Sequence, residues 1–392
     1  MNVISLLMYC YILLKPYYLF KSGGLQISDI VLLIAFFLFL ILTVKNKKKI
    51  TTEIIENKEY LIFAICTLIV NILYFVVYLK FKFVLSSLYY FFFFFVMILF
   101  SFCYKNNKHF GSIVSNLFKV NLIIQLLIYL LGLGRHYGIY RYMGTFNDPN
   151  QFAYFVLLSF SYIYLFDLTL KQNGRNFVYL LISVYLIYCS VSTGMLMGIS
   201  VFVILYIVSI VKNFKQYIIN NKVKLLIITF MLFFGIIFLV INKSSLSIFN
   251  LRDTTMFSRV TDKFNRISSK NTNDHLWSVW QERGYDKLWI YPQYMLYGSG
   301  EGEYDRFILS AHSNEIHATL PSILFYYGII PFLIILKWFY KKLKRVPFNL
   351  LIVYLALLME SFTLLNQRQA LFWTIFMMAP QLSKSYAQNK NV

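Results

Sequence analysis

Charge is what this sequence has least of. Of its 392 residues only 14% are charged and 16 are acidic, too little polar surface to keep soluble domains of that length dispersed. Cysteine is scarce too: Cys10, Cys66, Cys103 and Cys189 all fall inside apolar runs and have no metal-ligand spacing. Neither a disulfide scaffold nor a zinc module is expected from them. Strand-like alternation of apolar and polar residues is missing, which excludes an outer-membrane barrel. No small-residue cleavage site follows the first apolar run, which Lys15 interrupts, so that run reads as an anchor and not as a signal peptide. An internal repeat of the transporter kind is also lacking.

What the chain has is apolar length. Hydrophobic residues make up 59% of it and mean hydropathy is +0.63. A bilayer core takes about 20 apolar helical residues per crossing, and backbone in lipid must pair within its own segment. The predicted spans are 2–20, 28–44, 59–79, 84–103, 112–134, 152–169, 177–191, 195–211, 225–242, 319–339, 347–365 and 369–383. Only Ser190 to Gly194 divides the pair 177–211. The expected fold is all-α, a single polytopic membrane domain over 1–392 with about 12 transmembrane helices. Phe91 to Phe95 reads as lipid-facing bulk.

Basic residues set the expected orientation. Lys45 to Lys49, Lys105 and Lys108, Lys171 and Arg175, Lys212 to Lys224, Lys341 to Arg345 and Lys384 to Lys390 supply clusters after every even-numbered span. Such clusters stay in the cytoplasm, so both termini are placed inside. The net charge of +21 is then mostly a topological signal and implies no nucleic acid.

Three polar islands fall on the outer side in this scheme. The longest is an extracytoplasmic loop over 243–318, long enough to be functional and partly folded. Phe257, Val260, Phe264 and Ile267 recur there at helical spacing, with Arg259, Lys263 and Arg266 on a neighbouring face and Trp277, Trp280 and Trp289 beyond. For Arg259 and Lys263 a helix resting on anionic headgroups is the favoured reading. The second island, RHYGIYRYMGTFNDPNQ over 135–151, joins Arg135, Arg141, His136 and aromatics to an Asn147-Asp148-Pro149 turn, with Asn150 placed to cap the next helix. Asp148 reads equally as a turn residue and as a substrate contact. The third closes the long loop with GSGEGEYDRFILSAHSNEIHATL. Gly298, Gly300 and Gly302 permit a sharp bend or close ligand approach. His312, Asn314, Glu315 and His317 lead straight into an apolar helix, as an acid/base cluster or as a plain helix start. Zinc is a third reading, but the spacing of His312 and His317 matches no zinc motif. Asp148, Glu301, Glu303, Asp305 and Glu315 are potential Mg²⁺ donors, although the arginines make a metal dispensable, and no cofactor is assigned. Glu360 lies inside a predicted span, and Arg368, across the next turn, is one available mate.

The order of GTFNDPNQFA after an Arg-rich turn, a long penultimate outer loop, and NEIHATL followed by LFYYGIIPF resembles the O-antigen polymerase and ligase superfamily. It is most similar to Wzy-type oligosaccharide repeat-unit polymerases of capsule and exopolysaccharide clusters. The motifs span about a sixth of the chain, and the rest is similar in predicted topology only. The family's His lies 11 residues before a Gly of the following helix; His317 and Gly328 fit this and His312 does not. The family often has an Arg after the Ser-rich step between the paired middle spans; here Met195 is near there, which leaves that basic function unassigned or carried elsewhere.

This resemblance implies glycosyl transfer between polyprenyl-diphosphate-linked glycans at the outer face of a bacterial cytoplasmic membrane. A chain-length regulator and a flippase are further partners it implies, besides membrane lipids. In that reading Arg135, Arg141 and Arg283 lead as diphosphate ligands, with Arg266 and Arg368 behind them. Asp148 and Asn314 complete the substrate contacts, and Tyr137, Tyr140, Tyr142, Trp277 and Trp280 are available to stack on sugars. His317 is the candidate general base, with His312 and Glu315 as alternatives. A ligase of the same superfamily and, from another class, a lipid-linked oligosaccharide flippase are the rival functions.

Overall fold

Apolar runs fold as helices because a helix satisfies its own backbone. The computed structural model describes residues 2–20, 26–43, 47–138, 140–170, 176–212 and 279–390. Within them run α1 (Asn2–Leu14), α2 (Ile27–Thr43), α3 (Lys47–Glu56), α4 (Lys58–Tyr78), α5 (Lys82–Asn106) and α6 (Phe110–Leu130). A ribbon follows, β1 (Arg135–Tyr137) and β2 (Arg141–Gly144), then α7 (Pro149–Thr169), α8 (Asn176–Ser190) and α9 (Thr193–Lys212). The final stretch holds the short α10 (Val279–Glu282), α11 (Asp286–Ile290) and α12 (Tyr294–Tyr297), then α13 (Thr319–Tyr327), α14 (Ile329–Leu343), α15 (Phe348–Glu360) and α16 (Ala370–Lys390). The protein is therefore mainly helical, and five described helices (α4, α5, α6, α7 and α9) are long and apolar enough to cross a membrane. The predicted span 225–242 and most of the predicted loop lie outside the described residues.

Helix α7 is the centre. Its most apolar stretch is 94% buried, against 28% for α4. FAYFVLLSFSYIYLFDL is apolar on all sides, as a central helix must be, and Ser159 and Ser161 return their hydroxyls to Phe155 O and Leu157 O. Helix α4 instead exposes Ile62, Ile65, Ile69, Ile72 and Val76 at helical spacing, a face suited to lipid. Between them Tyr60 packs on Trp338 and Trp373 at 5.3 and 5.1 Å between ring centroids, in edge-on geometry.

Several expectations need correction. Phe93 and Phe94 are buried, and Phe94 packs against Tyr60, so that run is only partly outward bulk. The first helix stops at Leu14, and Lys15 turns to Asp29 at 3.1 Å. The island at 135–151 contains an antiparallel ribbon, pairing His136 with Tyr142. The cap of α7 is Asp148, not Asn150: its Oδ1 accepts from Asn150 N and Gln151 N at 2.8 and 3.0 Å, with Pro149 in the first turn.

The predicted span 319–339 is the largest correction. It breaks at Gly328, whose φ of 83° and ψ of 178° belong to a region only glycine adopts readily. The break leaves carbonyls of α13 without helical donors, and the glycine loop supplies them. Ser299 N donates to Phe325 O at 3.0 Å and Gly300 N to Tyr326 O at 2.8 Å. Backbones meet so closely that a Cβ at Gly328 would lie 2.6 Å from Leu296 O. The glycines of the loop thus serve an approach of the chain to itself. Arg306 clamps the same loop: it donates to Gly300 O at 2.6 Å and lies 4.9 Å from Tyr74, 5.0 Å from Phe83 and 4.8 Å from Phe307.

Gly328→Ala should destabilise the protein by more than the about 1–3 kcal/mol of a strained backbone alone. The thermal midpoint in detergent should fall further than for Gly132→Ala, whose positive φ meets no neighbour. Equal midpoints for the two variants would remove the packing argument.

Candidate functional site

The polar islands converge at the ribbon-bearing end of the bundle. His317 N donates to Arg283 O at 2.9 Å, which lays the NEIHATL segment against the end of α10. Across it the imidazoles of His312 and His317 meet edge-on with centroids 4.9 Å apart. Gly284 permits this contact, since a Cβ there would stand 3.3 Å from His312 Cδ2.

Asp286 and Lys287, which hydropathy does not single out, hold the segment that carries His312. Both are buried. Asp286 Oδ2 accepts from Ser310 Oγ at 2.8 Å and Ala311 N at 2.7 Å. Lys287 donates to Ser310 Oγ at 3.1 Å and to His312 O. Burial pulls the Lys287 ammonium down to about 8, against the opposing charge of Asp286. A DK pair in a polar loop gives no hydropathy signal, so only packing identifies it.

Electrostatics keep both imidazoles neutral. Burial lowers the His317 pKa from 6.5, Arg283 adds to that, and Asp148 opposes it. Burial likewise lowers that of His312, followed by His317 and Lys287. Asp148, while capping α7, therefore also stands within electrostatic reach of His317. Arg283 is half-buried, and its guanidinium makes no hydrogen bond or ion pair among the described residues. Burial lowers its pKa, opposed by Tyr285, Glu360 and Glu282.

Arg368 does not pair with Glu360. It bridges two other carboxylates, Glu301 at 2.8 Å and Glu315 at 2.7 Å, and donates to Tyr304 Oη at 2.8 Å. Glu301 is 2% exposed and also accepts from Tyr327 Oη at 2.5 Å. Glu360 is held instead by Asn366 Nδ2. Two acids are drawn to one arginine because a buried carboxylate needs a nearby cation. Glu315, two residues before His317, is thereby tied through Arg368 to the loop fixed at the Gly328 break.

The other selected arginines differ in use. Arg135 bonds Tyr18 O at 3.1 Å and Asn147 Oδ1, a brace between the first helix pair and the turn. Arg141 reaches Ser190 O at 3.2 Å and Asn150 Oδ1 at 2.9 Å, at the step between α8 and α9. Arg266, like Arg259, Lys263 and Trp277, lies outside the described residues. Asn314 is exposed; Tyr137 and Tyr140 are exposed and Tyr142 is buried, which removes Tyr142 from sugar stacking. Among the described residues no group of three or more His, Cys, Asp or Glu side chains is placed to hold a metal ion.

Removing one partner of a fully buried ion pair costs about 3–5 kcal/mol, and the partly exposed Arg368 side chain reduces this to about 1–3 kcal/mol. Arg368→Ala should therefore lower the thermal midpoint, and adding Glu301→Gln should recover part of the loss. A double variant less stable than Arg368→Ala would contradict this assignment of the pair.

No protein-family model matches this chain and no curated protein matches it, so the reading of the site rests on its own geometry.

Proposed function

We propose that the protein is a polysaccharide polymerase of the cytoplasmic membrane of a bacterium, with both termini in the cytoplasm. It moves a growing glycan from polyprenyl diphosphate onto a new lipid-linked repeat unit at the outer face. The observation that carries this reading is the meeting of a neutral His317 with an arginine, Arg283, whose guanidinium is left uncommitted. Such a pair suits a reaction that takes a proton at one end and releases a diphosphate at the other.

In this mechanism the neutral imidazole of His317 takes the proton of the acceptor hydroxyl. The hydroxyl oxygen attacks the anomeric carbon of the donor glycan, through a transition state of oxocarbenium character. The bond from that carbon to the diphosphate oxygen breaks, and the electron pair leaves with the diphosphate. Arg283 stabilises the growing negative charge, its planar fork matching paired phosphate oxygens. Arg368 holds Glu315, two residues before His317. Arg141 brings a guanidinium to Ser190 O at the Ser-rich step where the family often has an arginine, in keeping with that basic group being carried elsewhere.

Cells lacking the protein should accumulate single-repeat lipid carrier; a ligase would leave long lipid-linked chains untransferred. His317→Ala should lower polymerisation about 10²–10⁴-fold, the usual effect of losing a positioned base, whereas His312→Ala should retain polymer. The lowered pKa of His317 sets the sign with pH: activity holds at pH 7 and falls on acidification only below the ordinary value of 6.5. Full polymer from both single variants and the double variant would remove imidazole from the mechanism.

A further inference from the structure

Residues 307–310 form a tight turn whose corner runs against ordinary turn chemistry. Ser310 N donates to Phe307 O at 3.1 Å, which makes Ile308 and Leu309 the two central residues. Turn corners in water are usually Gly, Pro, Asn, Asp or Ser, residues that bend easily or bond their own backbone. Here the pair is 85% and 73% exposed, and no described residue covers it. The turn itself is firmly held. Phe307 is buried and packs on Phe325 at 5.2 Å and on Tyr291 at 5.5 Å between centroids. Leu309 N donates to Tyr291 Oη at 3.0 Å, so the tip has a backbone partner inside the protein, as apolar surroundings require.

The segment that carries this turn is fastened to the end of a helix suited to lipid. Tyr74, one turn before the end of α4, donates its Oη proton to Gly298 O at 2.9 Å. Arg306 lies 5.6 Å from the ring of Tyr78, the last residue of α4. On α4 Leu73, Val76 and Val77 are exposed, and on the fastened segment so are Leu296, Tyr297 and Trp289. These contacts carry the apolar surface of α4 onto a loop that hydropathy alone assigns to water.

We propose that the turn at 307–310 is a membrane finger: Ile308 and Leu309 insert into the leaflet at that end of the bundle, with Trp289 at its interface. Insertion sets a depth for the imidazoles. Asp286 holds Ser310 Oγ and Ala311 N, and Lys287 holds His312 O, so His312 follows the tip through two pinned residues. The His pair then sits at headgroup level, where the polar end of an amphiphilic substrate lies. The inference stands on the apolar turn and its fastening to α4, and holds independently of the polymerase reading.

The test is fluorescence quenching of the full-length protein in vesicles. An environment-sensitive label is placed on Leu309→Cys, Ser313→Cys or, as a lipid-facing reference, Val76→Cys, with the native Cys10, Cys66, Cys103 and Cys189 changed to Ala. Lipids brominated near the headgroup should quench Leu309→Cys more than lipids brominated at the chain ends, since interfacial apolar groups lie about 5–10 Å deep. Iodide in the water should quench it little. Ser313→Cys, beside His312, should respond to iodide and to headgroup bromine alike. Iodide quenching of Leu309→Cys without lipid quenching would place the turn in water and overturn the finger. Resistance to both quenchers would mean that protein covers the tip, and would overturn it equally. A Ser313→Cys label reached by iodide alone would overturn the depth given to the imidazoles. None of these readouts depends on catalytic activity.

Discussion

The site depends on one backbone exchange. Where the helix breaks at Gly328, carbonyls of Phe325 and Tyr326 lose their helical donors and take the N–H groups of Ser299 and Gly300. Irregular backbone amid apolar helices is tolerated only where such groups find partners. This exchange seats Glu301 at the end of the glycine loop, where its N–H bonds Asn71 Oδ1 at 2.8 Å. From there the order passes outward through Arg368 to Glu315, and so to the His317 segment. A helix break in one element thus fixes the position of imidazoles supplied by another.

Scarce charge is used in the same way throughout. Most of the acids that lie among the helices have a cation: Asp29 has Lys15, Glu53 has Lys105, Asp167 has Lys119 and Glu59 has Lys341. Asp167 also accepts from Ser115 Oγ at 2.6 Å. Pairing follows from the cost of a lone charge in an apolar interior. Glu360 departs from that rule, with an amide as its direct partner.

Much of this was legible in the residues. Apolar length marked out the five long apolar helices, since hydrophobic runs have one backbone solution in an apolar setting. The division of α8 from α9 falls at Val191 and Ser192, inside the Ser190–Gly194 step. His312, Glu315, His317 and Asp148 stood out as polar groups beside apolar helix starts and Arg283 as a cation of the long loop, and the structure gathers them at one end. Other members were silent. Asp286, Lys287 and Arg306 sit in a loop whose polarity is ordinary, and their burial comes from the fold around them. Tyr142 was misjudged because its tip faces inward, donating to Gln125 O at 3.4 Å, and a short ribbon carries no strong period.

By itself the sequence determined the class: mainly helical, apolar enough to cross a membrane, with its unusual polar groups in a few islands. Hydropathy is a local property, so it is readable along the chain. Only the tertiary structure decided which charges meet. Arg368 finds Glu301 across 67 residues and leaves Glu360, eight positions away in sequence, to the amide of Asn366. The break at Gly328 likewise carries its meaning only through Ser299 and Gly300, which come from another segment. Pair energies fall off with distance in space, not along the chain, and that distance is set by packing.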